Sequence, residues 1–162
     1  MRTLFIIPLV LMSLVSFPSW GLDIDDLVIR AGLYYKKFTA TPFTGEVDEG
    51  LYRGSLTNGK REGSWESYYK SGMLSNKGEY KNNELEGSWE SYWDNGQLSS
   101  RGNSKSGNKE GSWESYYDSG QLISKGDFKN GNEEGYWVHY NEDGSVFKKY
   151  SGTFKNGVKV SE

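Results

Sequence analysis

Residues 54–65 read Gly-Ser-Leu-Thr-Asn-Gly-Lys-Arg-Glu-Gly-Ser-Trp, and this stretch decides the fold because the chain repeats it. Blocks that align with it begin at Gly78, Gly102 and Gly126, each 24 residues after the last. A final half-repeat begins at Gly152. Repetition at a fixed period is the signature of an architecture in which each unit packs only on its neighbours.

Besides the glycine that starts each block, five positions carry the same residue in all four copies. These are Glu62/Glu86/Glu110/Glu134, Gly63/Gly87/Gly111/Gly135, Trp65/Trp89/Trp113/Trp137, Tyr68/Tyr92/Tyr116/Tyr140 and Gly72/Gly96/Gly120/Gly144. Glycine recurs at intervals of 9, 9 and 6 residues, so no stretch of typical helix length is free of it. The spacing therefore excludes a helical solenoid.

Short runs rich in Trp, Tyr and Ser separate dipeptides such as Asn58-Gly59 and Asp143-Gly144. Such dipeptides between strand-like runs indicate β-hairpins, because both central positions of a type I′ turn need positive φ. Each repeat is predicted to be one hairpin, with strands near 63–69 and 74–80 and turns at 70–73 and 81–84. The fold class predicted is all-β, an antiparallel β-hairpin repeat meander with 24-residue repeats that forms a single elongated twisted sheet.

Strand alternation predicts the two faces of this sheet. Trp65 is expected on one face and Tyr68 on the other, since successive side chains of a strand point to opposite sides. The tryptophans of the four repeats should then form a structural ladder. Gly63 and its equivalents are expected to leave room for a neighbouring ring to lie over the backbone.

The chain divides into three predicted parts. Residues 22–53 are interpreted as a leader and a capping hairpin, with strands at 27–30 and 33–37, a shorter strand at 41–47 and a flexible leader at 22–26. Residues 54–162 form the repeat array. This division gives the array an aliphatic cap, which a quasi-one-dimensional stack needs at its end.

Residues 1–21 have the pattern of a secretory signal peptide. Arg2 supplies the positive charge, residues 4–17 are an apolar run of fourteen, and small residues at Ser19 and Gly21 precede a cleavage site. A transmembrane anchor is the alternative, but a span needs roughly 20 apolar residues. The mature protein is expected to be secreted or periplasmic after cleavage near Gly21, without stable membrane insertion.

Composition excludes several function classes. A formal net charge of -3 gives no case for nucleic-acid binding, and zero Cys removes thiol nucleophiles, disulfides and Cys-based zinc sites. The single histidine, His139, is expected on the surface of a capping repeat. Rows of carboxylates at Glu62 and Glu66 and their equivalents are interpreted as solvated strand faces. No catalytic residues, metal site or cofactor are predicted, and the protein is expected not to be an enzyme.

The repeat unit Gly-x-(Tyr/Phe)-Lys-(Asn/Ser)-x-x-x-Glu-Gly-x-Trp-x-x-Tyr-x-x-x-Gly-x-Leu, preceded by 33–37 and 42–45, resembles bacterial MORN-variant repeat proteins, often called YwqK-family antitoxins. The likeness covers roughly residues 27–160. It implies a β-hairpin meander and a protein-interaction role. The signal peptide departs from a cytoplasmic toxin neutraliser, so an antitoxin-like or immunity role would be exercised in the periplasm or outside the cell.

Aromatic side chains are the candidates for binding. The predicted structural positions are Trp65, Trp89, Trp113 and Trp137 with Gly63, Gly87, Gly111 and Gly135. The predicted binding residues are Tyr68, Tyr69, Tyr92, Trp93, Tyr116 and Tyr117. A protein partner is preferred, because exposed Tyr and Trp bury much area at low entropic cost. Cell-wall glycan or choline-type binding is the alternative, since the aromatic hairpins also look like glucan-binding modules, whose repeats are nearer twenty residues.

Overall fold

The computed structural model describes residues 22–162, so the predicted signal peptide at 1–21 lies outside the described residues. A short 3-10 helix at Ile24–Asp26 precedes a series of strands. The strands are β1 (Leu27–Arg30), β2 (Leu33–Lys36), β3 (Gly45–Val47), β4 (Tyr52–Thr57), β5 (Lys60–Tyr68), β6 (Leu74–Lys81), β7 (Glu84–Tyr92), β8 (Leu98–Lys105), β9 (Asn108–Tyr116), β10 (Leu122–Lys129), β11 (Asn132–His139), β12 (Gly152–Lys155) and β13 (Val158–Ser161).

Strands β3 to β13 form one sheet of 11 strands in which every strand pairs with its neighbours in the chain. All these pairings are antiparallel, as in Trp65 opposite Gly78 and Trp89 opposite Gly102. Strands β1 and β2 make a separate two-stranded sheet. The predicted all-β antiparallel hairpin meander is confirmed.

Two turn types alternate along the meander, where the sequence suggested one. At Asn58-Gly59 both residues have positive φ (50° and 75°), as a type I′ turn requires. Asn82-Asn83 adopts the same conformation without glycine. At Ser71-Gly72 only the glycine has positive φ, and Gly72 N–H donates to the Tyr69 carbonyl at 2.9 Å. This second turn is a type I turn closed by a left-handed residue, and it recurs in each repeat.

The predicted role of Gly63 is wrong. The space beyond Gly63 is open, and its φ of 70° belongs to a bulge in β5, where residues 63–65 lie opposite the single residue Gly54 of β4. The ring of Trp65 instead lies against Gly54, where a Cβ atom would overlap it. The first strand of each hairpin is also longer than predicted, because the bulge lets β5 start at Lys60.

The same relation recurs in every repeat. The ring of each later tryptophan lies against the glycine eleven residues before it, in the preceding strand, as Gly78 with Trp89, Gly102 with Trp113 and Gly126 with Trp137. Alternation along the strands predicted which face carries the tryptophans. It did not predict which glycines they cover.

Three of the four tryptophans at the repeated ladder position are buried and anchored by hydrogen bonds. Trp65, Trp113 and Trp137 are each 3–4% exposed, and each indole N–H donates to a carbonyl ten residues earlier at 2.8–3.0 Å. Trp89 differs, because it is only half-buried and makes no such hydrogen bond to the described residues. On the next strand Ser104 stands where the neighbouring repeats place Tyr80 and Phe128.

The apolar core is concentrated at the N-terminal end. Leu27, Tyr34, Val47, Leu56 and Trp65 form one buried cluster, with Leu22 and Ile24 packed against it. The leader at 22–26 is therefore not flexible as expected. Its Leu22 carbonyl also accepts from the backbone N–H of Asp48 at 3.2 Å, which ties the segment to the edge of the sheet.

An aromatic chain closes the other end of the sheet. Phe128 packs edge-on against Trp137 with ring centroids 4.9 Å apart, and Trp137 stacks on His139 at 6.0 Å. His139 is half-buried rather than a surface residue, and its Nδ1 atom is buried without a partner among the described residues. The sequence expectation for this histidine is corrected: it belongs to the packing of the cap.

The carboxylates of the Glu62 position are not solvated strand residues as expected. Each accepts a hydrogen bond from a backbone N–H in the turn of the next hairpin, at 2.7–3.0 Å. The pairs are Glu62 with Asn82, Glu86 with Ser106, Glu110 with Asn130 and Glu134 with Asn156. A carboxylate bound to an otherwise unpaired amide stabilises the turn, so this row of glutamates joins successive repeats.

Candidate interaction face

The surface opposite the tryptophans, which we call the polar face, carries a cation, a carboxylate and a tyrosine from each of the first three repeats. In the second repeat these are Lys77 on β6 and Glu90 and Tyr92 on β7. Lys77 Nζ lies 2.8 Å from Glu90 Oε2, and Tyr92 Oη donates a hydrogen bond to the same oxygen. The alternation of the strands brings the three side chains to one side of the sheet.

The next repeat builds the same triad. Arg101 Nε lies 2.7 Å from Glu114 Oε2, to which Tyr116 Oη donates at 2.6 Å. In the first repeat Tyr68 donates to Glu66, and the guanidinium of Arg53 lies over the Tyr68 ring, 5.6 Å from its centroid. The triad is therefore a feature of the repeat.

The triads of the second and third repeats shift the pKa values of their carboxylates and tyrosines in the same directions. The hydrogen bond from Lys77 and the one from Tyr92 lower the pKa of Glu90 below its usual value. Partial burial and the bond to Glu90 raise the pKa of Tyr92. In the following triad the bonds from Tyr116 and Arg101 likewise lower the pKa of Glu114. The ionised carboxylate and the neutral phenol are thus the stable pair.

Grooves open on the polar face at equivalent positions of three successive repeats. Their volumes are about 260, 340 and 420 Å³. The first is bordered by Ser64 and Ser88, the second by Ser88 and Ser112, and the third by Ser112 and Tyr136. The short side chains of Ser64, Ser88 and Ser112 leave the bottom of the first two grooves accessible. Charged residues of the triads border both grooves. The grooves form a row that crosses the strands.

The six predicted binding residues separate into two sets. Tyr68, Tyr92 and Tyr116 lie half-buried on the polar face, with their hydroxyls bonded to glutamates. The other three follow them at the turn edge and donate across the repeat boundary to the next repeat's backbone: Tyr69 to the Tyr92 carbonyl, Trp93 to that of Tyr116 and Tyr117 to that of Tyr140, at 2.7–3.2 Å. This second set joins neighbouring repeats.

Sequence reasoning missed the basic members of the triads. Arg53, Lys77, Arg101 and Lys125 each stand immediately before the glycine that receives a tryptophan ring, at the 24-residue period. That fixed position was a readable signal. Because arginine and lysine alternate at this position, a comparison of the repeats that counts only identical residues does not detect it.

Metal sites and membrane-spanning helices are two other features that the described residues could have shown. No group of three or more His, Asp or Glu side chains within 22–162 is arranged to hold a metal ion. Among the same residues no helix is long and apolar enough to cross a membrane.

Comparison with known families agrees with this geometry. The family model described as MORN repeat variant matches residues 61–82, 85–106 and 109–130. No curated protein matches the chain. Three consecutive stretches of the chain are thus similar to MORN-variant repeats, a repeat type generally associated with binding to proteins or membranes.

Each matched unit begins in the first strand of a hairpin and ends at the turn after the second. Residues 85–106, for example, run from the second position of β7 through β8 to the turn at Ser106. The unit matched by the family model is therefore the hairpin that contributes one tryptophan of the ladder and one carboxylate–tyrosine pair.

Proposed function

We propose that this is an exported, non-enzymatic repeat protein that binds a protein partner along its polar face. The observation that carries the proposal is the row of grooves at equivalent positions of consecutive repeats. A surface built from repeated grooves contacts an elongated ligand at several points at once. The sequence at 1–21 supports export.

The dimensions of the row suit a protein segment. From β5 to β11 the sheet spans six interstrand spacings, or about 29 Å. Basic and acidic side chains alternate along this length, in the order Lys77 on β6, Glu90 on β7, Arg101 on β8 and Glu114 on β9. An extended polypeptide offers both hydrogen-bond donors and acceptors to such a surface. Contact over the whole row fits a partner burying on the order of 1,200–2,000 Å² in total.

The tyrosines on this face supply the apolar part of the proposed contact. Tyr92 and Tyr116 keep their hydroxyls bonded to glutamates, which fixes each ring without using its exposed side. Rigid aromatic rings lose little entropy on binding, so they are efficient contact residues. Trp93, which follows Tyr92 at the turn edge, is 37% exposed.

An antitoxin-like or immunity role is the narrower form of the same proposal. It rests on the resemblance of the repeats to the YwqK-family antitoxins, together with the signal sequence that would place the partner in the envelope or outside the cell. Neutralising a protein by binding requires an extended surface and no catalytic group. The polar face supplies such a surface.

A groove-filling substitution tests the proposal. Purified protein carrying Ser88→Trp, which places a bulky ring between the first two grooves, should capture much less partner from the cell's own envelope extract than the unmodified protein. Ser119→Trp is the matched control, because it adds the same ring at an exposed turn that borders no groove. Equal capture by both variants would contradict binding in the grooves.

Glycan binding is tested on the same variants. Cell-wall fragments and choline are titrated into the purified protein and followed by calorimetry and tryptophan fluorescence. A protein-binding surface predicts no saturable binding of either. Saturable binding that disappears when Tyr92 and Trp93 are both changed to Ala would favour the glycan alternative instead.

A further inference from the structure

The last repeat breaks the triad at one position. Lys125 on β10 lies directly opposite Val138 on β11, at the place where Lys77 meets Glu90 and Arg101 meets Glu114. The basic residue and the tyrosine, Tyr140, are kept, but the carboxylate is replaced by an apolar side chain. Lys125 makes no ion pair within 22–162, and Tyr140 Oη donates no hydrogen bond to the described residues.

The filled triads show what the vacant position would hold. Glu90 Oε2 accepts from Lys77 Nζ at 2.8 Å and from the hydroxyl of Tyr92 at the same time. A carboxylate is the group that this pair of donors stabilises, since both bonds are assisted by its charge. In the last repeat Lys125 and Tyr140 border the same groove, and the carboxylate opposite Lys125 on its other side, Glu114 of β9, is already bound by Arg101 and Tyr116.

The vacant position opens into the largest of the three grooves on the polar face. This groove, of about 420 Å³, is bordered by Lys125, Val138 and Tyr140. Tyr136, which stands where earlier repeats have serine, adds a ring that is 62% exposed. The groove therefore joins a cation and a hydroxyl donor to an apolar wall.

We propose that this end groove binds a carboxylate side chain of the protein partner, which takes the place of the missing glutamate between Lys125 and Tyr140. The inference rests on the proposed function for the kind of partner. Apolar residues flanking that acidic side chain pack on Val138 and Tyr136. The partner segment is thus acidic with apolar neighbours.

Two carboxylates beside Lys125 set a direction for the ligand, Glu114 opposite it on β9 and Asp127 on β10 itself. Asp127 lies two residues from Lys125 on the same face of β10, and it also borders the groove. Its carboxylate repels an acidic group, so the ligand carboxylate lies at the Lys125 and Tyr140 end. The part of the ligand next to Asp127 and Ser112 carries a hydrogen-bond donor, such as a backbone amide.

A pair of blocked peptides tests the site without the partner. The probes are acetyl-Val-Glu-Val-amide and its neutral isostere acetyl-Val-Gln-Val-amide, with inorganic phosphate as a second anion. Binding is measured by calorimetry, and NMR shifts of the Tyr136 and Tyr140 rings locate it. The glutamate peptide should bind once per chain, and the glutamine peptide about tenfold more weakly, because it loses the charge-assisted bonds.

Variants that exchange the triad between repeats provide the sharpest comparison. Val138→Glu restores the triad of the other repeats, so it should fold well and abolish peptide binding. Glu90→Val creates a second vacancy between Lys77 and Tyr92, so it should raise the stoichiometry from one peptide to two. Lys125→Ala should weaken binding about tenfold. Lys105→Ala, which removes an exposed lysine at the end of β8 that borders none of the three grooves, is the matched control and should leave it unchanged.

Several results would overturn the proposal. These are absence of saturable binding of the glutamate peptide, equal binding by Val138→Glu and the unmodified protein, and tighter binding of phosphate than of the glutamate peptide. The Ser88→Trp capture experiment probes the other two grooves. A negative result there contradicts the proposed function, whereas a negative peptide titration contradicts the carboxylate site. Peptide binding without partner capture would support the carboxylate site and contradict the extended protein interface.

Discussion

The ring of Trp113 lies against the backbone of Gly102, the residue eleven positions before it on the neighbouring strand. The contact is so close that a Cβ atom on Gly102 would overlap the indole. The indole N–H then donates to the carbonyl of Asn103 at 2.8 Å. This pairing of a ring with a bare backbone supplies the core of a repeat that has few aliphatic side chains.

Gly102→Ala should destabilise the protein by about 1–3 kcal/mol, because the added methyl group displaces Trp113. Its backbone φ is compatible with alanine, so the cost comes from the ring alone. The emission of the tryptophans should shift to longer wavelength as Trp113 becomes hydrated. Urea unfolding and fluorescence measure both effects.

Gly111→Ala is the companion to that variant. The space beyond Gly111 is open, but its φ of 68° costs an alanine about 1–2 kcal/mol. This variant should be destabilised without a change in native fluorescence. A fluorescence shift in Gly111→Ala and none in Gly102→Ala would show that the rings cover the other glycines.

Trp113→Ala should cost about 3–5 kcal/mol, since the side chain is 4% exposed and hydrogen-bonded. Trp89→Ala should cost distinctly less, because Trp89 is half-buried and faces Ser104 in place of an aromatic ring. Glu142→Ala, in an exposed turn, should stay within about 0.5 kcal/mol. Equal losses for the two tryptophans in urea unfolding would contradict the unequal packing.

The triads make stability depend on pH in acid. The pKa of Glu90 is lowered in the folded protein by its bonds from Lys77 and Tyr92. Its contribution is therefore present above the unfolded pKa of about 4.3 and is lost as the pH falls towards the folded value. The effect should remain below about 1 kcal/mol, since the Lys77 side chain is 46% exposed.

Urea unfolding from pH 7 to pH 3 measures this contribution by comparison with Glu90→Gln. The difference in free energy of unfolding between the two proteins should shrink across the acid range. A difference that stays constant would mean that the triad does not hold the carboxylate ionised.

The signal sequence predicts that the exported protein begins at Leu22. Intact-mass measurement of protein recovered outside the cytoplasm should give the mass of residues 22–162. Recovery of the chain with residues 1–21 attached, in the membrane fraction, would contradict export and the location of the proposed partner.

Most of the fold could be predicted from the sequence, because the 24-residue pattern occurs four times and each copy predicts the same hairpin. The glycines show the limit of that reasoning. Gly63 and Gly54 both recur at the period, but only the bulge in β5 decides that Trp65 covers Gly54. A bulge changes register by geometry that a simple alternation of faces does not contain.

The candidate site was predictable in part for a similar reason. Alternation places Glu66 and Tyr68 on one face, and the structure confirms this by the bond between them. The partner cation, Arg53, comes from a different strand, so its role depends on the register of β4 with β5. The hydrogen bond from Tyr69 to the Tyr92 carbonyl crosses a repeat boundary, and pattern within one repeat does not show it.

The central claim is that the polar face is the surface that holds a protein partner. In-cell photo-crosslinking tests it most directly, with a photoreactive amino acid placed at Ser88, at Ser112 or, as the control, at the Ser119 turn. The account predicts adducts with another protein from Ser88 and Ser112, which border the grooves, and none from Ser119. Adducts from Ser119 alone, or none from either groove position, would contradict it.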